Sequence, residues 1–332
     1  MKVMITGGTG FLGGALARRL QGMGADVSVV GRNQTKGKAL EDEGIRFIRA
    51  DLSDEQAIIK ACEDCDYVYH SGALASPWGP YETFYNANVV GTENVVKGCQ
   101  EHKVKRLIHV STPSIYQTYR DRINVKESEP LPEVMPSFYA QTKYLAEKVV
   151  DKAHEEGLEV ISIRPRAIIG PGDTTVFPRL IRLLRTGRLR IIGNGKNRAE
   201  FGYIDNVLDA LLLCQDAPSH CLGEKYNITN GEPVYLWEMV AKLCQMLDLP
   251  APTKKVPLAV ANALAIVLET FSKWFQGGKE PVLTRYSVNV AGRSITLNIE
   301  KARKELGYEP KVGNQESLER FVAWWKEYEK AL

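Results

Sequence analysis

The segment that most constrains this chain is TGGTGFLGG, residues 6–14, which joins the apolar run KVMIT (2–6) to a helical pattern of leucines. Glycines in such a turn let the backbone approach a pyrophosphate, and the following helix offers free N–H groups and the positive end of its dipole. The segment therefore predicts a strand, a dinucleotide-binding turn and a helix, with a purely structural turn as the alternative. The residues predicted to contact the cofactor here are Gly7, Gly10, Phe11, Leu12 and Gly13.

Short apolar runs alternate with helical patterns over the first half of the chain. They are KVMIT (2–6), DVSVV (26–30), RFIRA (46–50), DYVYH (66–70), RLIHVS (106–111) and VISIRP (160–165). Strands rich in Val and Ile and separated by helices indicate a parallel sheet covered on both faces. The sequence predicts an α/β fold with a Rossmann-type doubly wound sheet over 1–165. A smaller α/β substrate lobe is predicted over 166–332, interleaved with the first.

Composition narrows the classes of function. The chain has 332 residues, 25% of them charged, and a net charge of +3 that is too small to indicate a nucleic-acid partner. The N-terminus has no signal-peptide pattern, so we expect a cytoplasmic protein without a transmembrane span. Cys62 and Cys65 form a lone CxxC with no second pair and no nearby histidines, so we expect reduced thiols and no metal site.

The end of the second strand bears on cofactor choice. NAD-binding folds place an acidic residue about 20 residues after the glycines, where it bonds the ribose 2′-OH. This chain has Gly31 there, followed by Arg32, which can pair with a 2′-phosphate, so NADP(H) is favoured over NAD(H). The alternative is that Arg32 lies on the surface without a role. Asp51 is predicted to bond the adenine amino group or to cap the next helix, although Ser53 suits the cap better.

The stretch SFYAQTKYLAEK, residues 137–148, places Tyr139 and Lys143 four residues apart. In a helix this spacing puts both side chains on one face, one turn apart. A nearby ammonium lowers the pKa of a phenol and suits it to acid–base catalysis. A solvated helix face with no catalytic role is the alternative. The strand-and-loop segment HVSTPSIY (109–116) brings hydroxyl groups toward the same place.

Together these segments resemble the extended short-chain dehydrogenase/reductases over essentially the whole chain. The motifs that carry the resemblance are TGGTGFLGG, DLSD, NVVGTENV, VSTPSIY, YAQTK, IRPRAIIGPGD and YIDNV. The resemblance implies that Tyr139 exchanges the proton and that Lys143 bonds the nicotinamide ribose. It implies that Thr112, with Ser111 as its rival, bonds the reacting oxygen. Further cofactor-site residues implied by the resemblance are Leu52, Ala73, Asn88, Pro165 and Ile168.

Within this superfamily the chain is most similar to the 3β-hydroxysteroid dehydrogenase branch, through STPSIY, NGKNRAEFGYIDNV and ITNGEPVYLWEMV. That branch includes sterol dehydrogenases and reductases of 2-alkyl-3-oxoalkanoates. The resemblance implies hydride transfer between a secondary alcohol and a ketone. The chain departs from the pattern at Gly72, where alanine is usual, and at Gly31, where NAD-preferring members have an acid.

An aromatic segment, ALASPWGPYETFY (73–85), follows the fourth strand, where open parallel sheets bind their ligands. We expect Trp78 and Tyr203 to contact an apolar substrate, a sterol or long-chain 3-oxoacyl compound, with Tyr81 and Phe84 nearby. Burial of these aromatics between the lobes is the alternative. The uninterrupted apolar core of segment 256–275 is shorter than a bilayer span, and packing in the second lobe or around an apolar substrate is favoured over lying at a membrane surface.

Two rival functions remain open at this point. A nucleotide-sugar epimerase or dehydratase would need basic residues for a diphosphate, and Arg179, Arg182, Arg185, Arg188 and Arg190 are candidates. Their spacing also fits an exposed helix face. A non-catalytic NADP-binding regulator typically lacks the tyrosine or the lysine, and both are present here. A homodimer is expected only by analogy with the superfamily.

Overall fold

The fold was analysed in a computed structural model that describes residues 1–330, so the last two residues of the predicted second lobe lie outside it. Its strands are β1 (Lys2–Thr6), β2 (Asp26–Gly31), β3 (Arg46–Arg49), β4 (Tyr67–His70), β5 (Arg106–Val110), β6 (Arg122–Val125), β7 (Val160–Pro165), β8 (Ile168–Ile169), β9 (Ile191–Ile192), β10 (Arg198–Ala199), β11 (Gly202–Tyr203), β12 (Lys225–Ile228), β13 (Val234–Tyr235), β14 (Lys255–Val256) and β15 (Ile295–Leu297).

The helices are α1 (Phe11–Gly22), α2 (Gln34–Asp42), α3 (Glu55–Ala61), α4 (Tyr81–Tyr85), α5 (Gly91–Glu101), α6 (Phe138–Glu155), α7 (Val176–Arg185), α8 (Ile204–Gln215), α9 (Leu236–Met246), α10 (Leu258–Phe275), α11 (Arg285–Gly292), α12 (Glu300–Leu306) and α13 (Asn314–Lys330). A π-helical turn, Asn86–Val90, joins α4 to α5, and 3₁₀ turns lie at Pro113–Tyr116 and Ser219–Cys221.

Seven parallel strands form the central sheet in the order β12-β7-β5-β4-β1-β2-β3. The order reverses beside β1, as in doubly wound Rossmann-type folds, so the predicted fold class is confirmed. All six predicted strands are present. The seventh, β12, was missed because the run KYNI is short and mixes polar with apolar residues.

Side chains alternate between the two faces of the sheet and fill two cores. Val3 and Ile5 pack with α1, α8 and α12, whereas Met4 packs on the opposite side with α3, α5 and α6. Burial on both faces is why the strands are nearly continuous apolar runs. Beyond residue 165 the chain returns to this sheet through α8, β12 and α12, and a separate core under α7, α9, α10 and α13 forms the second lobe.

The cap of α3 differs from the prediction. Asp54 is the N-cap, and its side chain accepts a hydrogen bond from the Ala57 N–H at 3.1 Å. Ser53 instead donates its hydroxyl hydrogen to Asp51 at 2.8 Å. The predicted capping by Ser53 is therefore wrong, because a carboxylate one residue closer to the helix takes the position.

Helix α10 is long and apolar enough, by length and composition, to cross a membrane, with a mean hydropathy of 1.3 over 18 residues. It lies along α11 at the surface of the second lobe. The expectation that it packs into that lobe is wrong for most of its side chains, since its buried residues are Ala261, Ala265, Glu269 and Ser272. Its large apolar side chains face outward.

A buried ion pair joins α6 to β7. Arg164 donates two hydrogen bonds to Glu147, from Nε at 2.8 Å and from Nη2 at 2.6 Å, and both side chains are almost fully buried. Arg164 also donates to the Tyr116 hydroxyl, which donates to Asn227 on β12 at 3.1 Å. This cluster fixes the position of α6, which carries Tyr139 and Lys143.

Glu147→Gln is expected to lower the free energy of unfolding by about 3–5 kcal/mol, because it leaves the Arg164 charge buried and unpaired. Urea titration followed by circular dichroism measures the change. Glu316→Gln breaks the exposed pair between Glu316 and Arg320 on α13 and should shift stability by less than about 1 kcal/mol. Equal effects of the two substitutions would contradict a structural role for the buried pair.

Candidate active site

A cavity of about 260 Å³ lies at the carboxyl ends of the central strands. Six of the predicted cofactor residues line it: Gly7, Gly10, Arg32, Asp51, Leu52 and Ala73. Phe11, Leu12 and Gly13 form the first turn of α1 beside it. This is where open parallel sheets bind ligands, next to a helix N-terminus suited to phosphate.

The glycine turn is packed too closely for side chains. Gly7 has a φ of +69°, and a Cβ there would lie 2.7 Å from the Cα of Gly72. A Cβ on Gly13 would lie 2.5 Å from the Gly7 carbonyl oxygen. A Cβ on Gly72 would lie 3.0 Å from the Thr6 hydroxyl oxygen and 3.0 Å from the Leu52 side chain. Glycine at this position, where alanine is usual, therefore lets the turn pack closely against these side chains.

Position 31 excludes a side chain for a separate reason. A Cβ on Gly31 would come within 2.6 Å of the Thr9 hydroxyl, so an acidic residue there requires the Thr9 side chain or the glycine turn to shift. The neighbouring Arg32 is 73% exposed and pairs with Asp51, with Nη1 and Oδ2 3.3 Å apart. The Ser53 N–H, helped by Arg32, lowers the pKa of Asp51, which therefore stays ionised. The residues at this end of the cavity suit the adenosine part of a dinucleotide.

The predicted catalytic hydroxyls come together. Thr112 opens the 3₁₀ turn after β5, and its hydroxyl oxygen accepts a hydrogen bond from the Ser114 N–H at 3.2 Å. Burial raises the pKa of Tyr139 to about 12, while hydrogen bonding with the Thr112 hydroxyl opposes that rise. Thr112 is thus the hydroxyl that faces the phenol. The rival Ser111 is also buried, and its Oγ has no hydrogen-bond partner among residues 1–330.

Lys143 is held by the end of β5 and not by the phenol. Its Nζ donates to the Val110 carbonyl at 2.8 Å and to His109 Nε2 at 3.1 Å. Burial lowers the pKa of Lys143 to about 8, and the Glu147 carboxylate opposes this. Burial of the phenol dominates the Tyr139 pKa in this structure, and the lowering of that pKa by Lys143 stays a prediction. A phenol with a raised pKa is protonated at neutral pH and can donate a proton.

Asn88 lies on the π-helical turn and joins three parts of the site. Its amide pairs with the Leu74 backbone, accepting from N–H at 2.7 Å and donating to C=O at 3.3 Å. It also donates to Thr142, which lies between Tyr139 and Lys143 on α6, at 3.0 Å. π-Helical turns occur often at functional sites. Asn88 therefore positions the loop after β4 against the helix that carries the tyrosine.

Four other predicted residues lie in different surroundings. Pro165 ends β7 and Ile168 lies on β8, both at the edge of the sheet nearest the second lobe. Trp78 is half-buried, and its Nε1 donates to the Gly278 carbonyl at 2.7 Å, which ties the 73–85 loop to the end of α10. Tyr203 is buried in the core beside α8, with the Arg320 guanidinium 5.5 Å from its ring centre. The side chain of Tyr203 packs into the sheet core, and its contact with a substrate stays a prediction.

Sequence reasoning missed several polar residues around the site. His109 bonds Lys143, and His70 links β4 to α5 by accepting from Thr6 and donating to Thr92. Tyr286, on α11, lies close enough to Tyr139 to influence its pKa. Arg166 directly follows Pro165 and is buried. The single signal in the sequence was polarity at the ends of buried strands.

Comparison with known proteins agrees with this geometry. Residues 3–229 match the model of the NAD dependent epimerase/dehydratase family. The chain is 37% identical to 2-alkyl-3-oxoalkanoate reductase of Stenotrophomonas maltophilia, over 97% of this chain and 99% of the relative. It is 32% identical to human sterol-4-alpha-carboxylate 3-dehydrogenase, decarboxylating, over 96% and 86%.

Among solved structures, UDP-glucuronic acid 4-epimerase from Bacillus cereus in complex with NAD has the same fold. It aligns with a TM-score of 0.78 and 22% identity over 98% of this chain and 99% of that one. One assignment follows from the glycine turn, from the packing of the Thr112 turn against α6 and from the family match over more than half the chain. The chain belongs to the NAD-dependent epimerase/dehydratase family of extended short-chain dehydrogenase/reductases, as its sequence motifs implied.

Proposed function

We propose that this protein is an NAD(P)(H)-dependent oxidoreductase that interconverts a secondary alcohol and a ketone on an apolar substrate. The observation that carries the proposal is that the 3₁₀ turn opened by Thr112 packs against α6, the helix that carries Tyr139 and Lys143. Two hydroxyl donors converging on one point suit the oxygen of a ketone. The named activities of the reductase and dehydrogenase relatives support the same chemistry. Sterols and long-chain 3-oxoacyl compounds are the proposed substrate classes.

In the reduction direction, Thr112 and Tyr139 donate hydrogen bonds to the ketone oxygen. Negative charge develops on that oxygen, and donors fixed in a water-poor site stabilise it strongly. Tyr139 then transfers its proton, which its raised pKa keeps in place at neutral pH. The bound dinucleotide supplies the hydride. Lys143 is proposed to donate a hydrogen bond to the ribose of the dinucleotide, while its bonds to His109 and the Val110 carbonyl hold the ammonium in place.

NADP(H) is the proposed cofactor. Arg32 is exposed at the adenosine end of the cavity, and position 31 lacks the acid that would bond a free ribose hydroxyl and would bring its Cβ against the Thr9 side chain. An arginine can bind a phosphate through two parallel hydrogen bonds, which supports this preference. Other members of the fold bind NAD, so the coarse class of cofactor does not depend on Arg32.

A nucleotide-sugar reaction has less support. Of the five arginines considered for a diphosphate, Arg179 pairs with Glu280 and Arg185 pairs with Glu329 at the surface. Retention of tightly bound NAD through purification would favour that reaction. A non-catalytic NADP-binding role has less support still, since Tyr139 and Lys143 are both present. A cytoplasmic location and a homodimer are further proposals.

Tyr139→Phe is expected to lower kcat by about 10²–10⁴-fold, because the proton donor is lost while the ring is kept. NADPH consumption with 3-ketosteroids and 3-oxoacyl compounds measures the loss, and fluorescence titration should show nearly unchanged NADPH binding. Tyr144→Phe, on the same helix, is the control and should keep full activity. Normal turnover in Tyr139→Phe would remove the phenol from the mechanism.

Arg32→Ala is expected to lower kcat/KM for NADPH by about tenfold to a hundredfold, because a charge-assisted bond to the 2′-phosphate is lost. The value for NADH should change little. Arg46→Ala, an exposed arginine at the opposite end of the sheet, should leave both values unchanged. Equal losses for NADPH and NADH in Arg32→Ala would show that Arg32 does not read the phosphate.

A further inference from the structure

Arg166 is a buried cation without an anionic partner. It is 7% exposed, and its Nε has no hydrogen-bond partner. Within residues 1–330 its guanidinium makes no ion pair and no side-chain hydrogen bond. By contrast, Arg164, two residues earlier, is fully paired with Glu147.

Burying a guanidinium with unused donors is costly, so such groups are normally paired inside proteins. Glu200 is the nearest carboxylate with an electrostatic influence on Arg166, but its oxygens accept hydrogen bonds from Thr229 Oγ1 and the Leu297 N–H. No Glu200 oxygen comes within ion-pair distance of Arg166 in the described part of the chain. Burial lowers the pKa of Arg166 and raises that of Glu200, as expected where neither charge is satisfied by the other.

The residue that carries the unpaired donors stands at the same edge of the sheet as Thr112, because β7 pairs with β5, which leads to Thr112. Arg166 directly follows Pro165, which ends β7 at the carboxyl edge of the sheet. The Tyr286 phenol on α11 is close enough to act electrostatically on both Arg166 and Tyr139. The guanidinium and the proposed proton donor therefore share one neighbour and one region of the site.

We propose that Arg166 binds a carboxylate of the substrate, close to the carbon that exchanges hydride. This inference rests on the proposed function and assigns a residue to substrate selection: the names of the reductase and sterol-carboxylate dehydrogenase relatives imply acid substrates, and Arg166 is the residue proposed to bind the acid group here. The planar guanidinium can bind a carboxylate through two parallel hydrogen bonds, which a neutral ester cannot match. Arg166 would then select acids and orient the neighbouring alcohol or ketone toward Tyr139.

Racemic 3-hydroxydodecanoate and its methyl ester, each with NADP⁺, test this selection. The wild type should favour the acid, and Arg166→Gln should lower kcat/KM for the acid by about tenfold to a hundredfold with little change for the ester. Arg166→Lys should recover part of the preference for the acid. An unchanged ratio of acid to ester in Arg166→Gln would overturn the inference.

A binding measurement separates this inference from the proposed function. Dodecanoate, which cannot react, should quench the tryptophan fluorescence of the wild type and bind at least tenfold more weakly to Arg166→Gln. If neither hydroxy compound is turned over but dodecanoate binding depends on Arg166, the anion site stands and the proposed substrate reaction fails. Equal dodecanoate binding by both proteins would overturn the anion site, whatever the turnover.

Helix α10 buries small or polar side chains and exposes large apolar ones, the reverse of the pattern in most helices of soluble proteins. Its buried stripe is small or polar: Ala261, Ala265, Glu269 and Ser272. The side chains of the opposite face are 48% to 78% exposed. We define this α10 outer face as Val260, Leu264, Ile266, Val267, Phe271, Trp274 and Phe275. Contiguous apolar patches of this kind mark interaction sites.

Basic residues are common in the two segments that flank this face in the sequence. Residues 179–196 contain six basic and no acidic side chains, and two of the six, Arg179 and Arg185, pair with Glu280 and Glu329. Residues 249–280 contain four basic and two acidic side chains, and of the two acids Glu269 is buried and pairs with Arg285 at 2.8 Å. The segment that contains α7 is tied to both ends of α10, because Arg179 pairs with Glu280 after one end and the Ile191 N–H bonds the Lys254 carbonyl before the other.

We propose that the α10 outer face docks on the surface of a membrane rich in anionic lipids. An apolar face with Trp and Phe, flanked by Lys and Arg, is typical of helices that lie in the membrane interface. Two copies of this chain meeting through α10 would bring like charges together, which disfavours a dimer. The pair between Glu269 and Arg285 holds α10 to the protein, so the helix lies on the bilayer and does not cross it.

Docking would also bring the active-site loop to the bilayer. Trp78 in the 73–85 loop bonds the Gly278 carbonyl just after α10, and the Lys273 ammonium lies 5.7 Å from its ring centre. An apolar substrate dissolved in the membrane could then reach the site without crossing water.

Cosedimentation with vesicles tests the docking. The wild type should bind phosphatidylcholine vesicles containing phosphatidylglycerol, and the double variant Val267→Ser with Trp274→Ser should bind at least tenfold more weakly. Met23→Ser replaces a side chain as exposed as Val267, 62% in each case, on the other domain and should bind like the wild type. Arg182→Gln with Arg188→Gln should reduce binding to the anionic vesicles by about tenfold.

Wild-type protein that stays in the supernatant with anionic vesicles would overturn the proposal. So would equal binding of the wild type and the Val267/Trp274 variant. Light scattering measures the molar mass of the wild type and of the Val267/Trp274 variant. A dimeric wild type and a monomeric variant would assign the face to contact between two copies of the chain and would overturn membrane docking.

Discussion

The hydrogen bond between Thr6 and His70 joins the carboxyl ends of the two central strands, with Oγ1 and Nδ1 2.7 Å apart. The Thr6 hydroxyl oxygen also accepts from the Gly72 N–H, so the hydroxyl hydrogen is given to His70, which must then be neutral. Burial enforces that state by lowering the pKa of His70 to about 3. The His70 ring donates a hydrogen bond to the Thr92 hydroxyl, which in turn donates one to the Asn88 carbonyl. One directed chain thus connects the glycine turn to the π-helical turn.

A second buried histidine completes this arrangement on the catalytic side. His109 stacks on His70, with ring centres 5.7 Å apart, and accepts a hydrogen bond from the Lys143 ammonium. Burial, followed by the Lys143 charge, holds the pKa of His109 well below its usual range. A neutral imidazole can accept from an ammonium, whereas a charged one would repel it. Because both imidazoles are neutral, the buried Lys143 ammonium at the end of β5 has no second positive charge beside it.

The sequence was informative where chemistry depends on residues close together in the chain. The glycine turn, the strands, the helix with Tyr139 and Lys143, and the β5 hydroxyls could all be predicted from local pattern. Tertiary contacts decided the rest. Tyr203 looked like a substrate residue but packs into the sheet core, and Trp78 reaches Gly278, two hundred positions away. The raised pKa of Tyr139 and the isolation of Arg166 depend on burial, which no local spacing encodes.

The contact between Gly31 and Thr9 links cofactor choice to the glycine turn itself. A Cβ at position 31 would meet the Thr9 side chain, and Thr9 stands inside the phosphate-binding segment. An acid at this position therefore requires a change at Thr9 or a shift of the turn at the same time. In a mutational path toward a different dinucleotide, the substitution at position 31 alone would be disfavoured. The cofactor preference that we propose is in this sense epistatic, because it involves positions 9 and 31 together as well as the exposed Arg32.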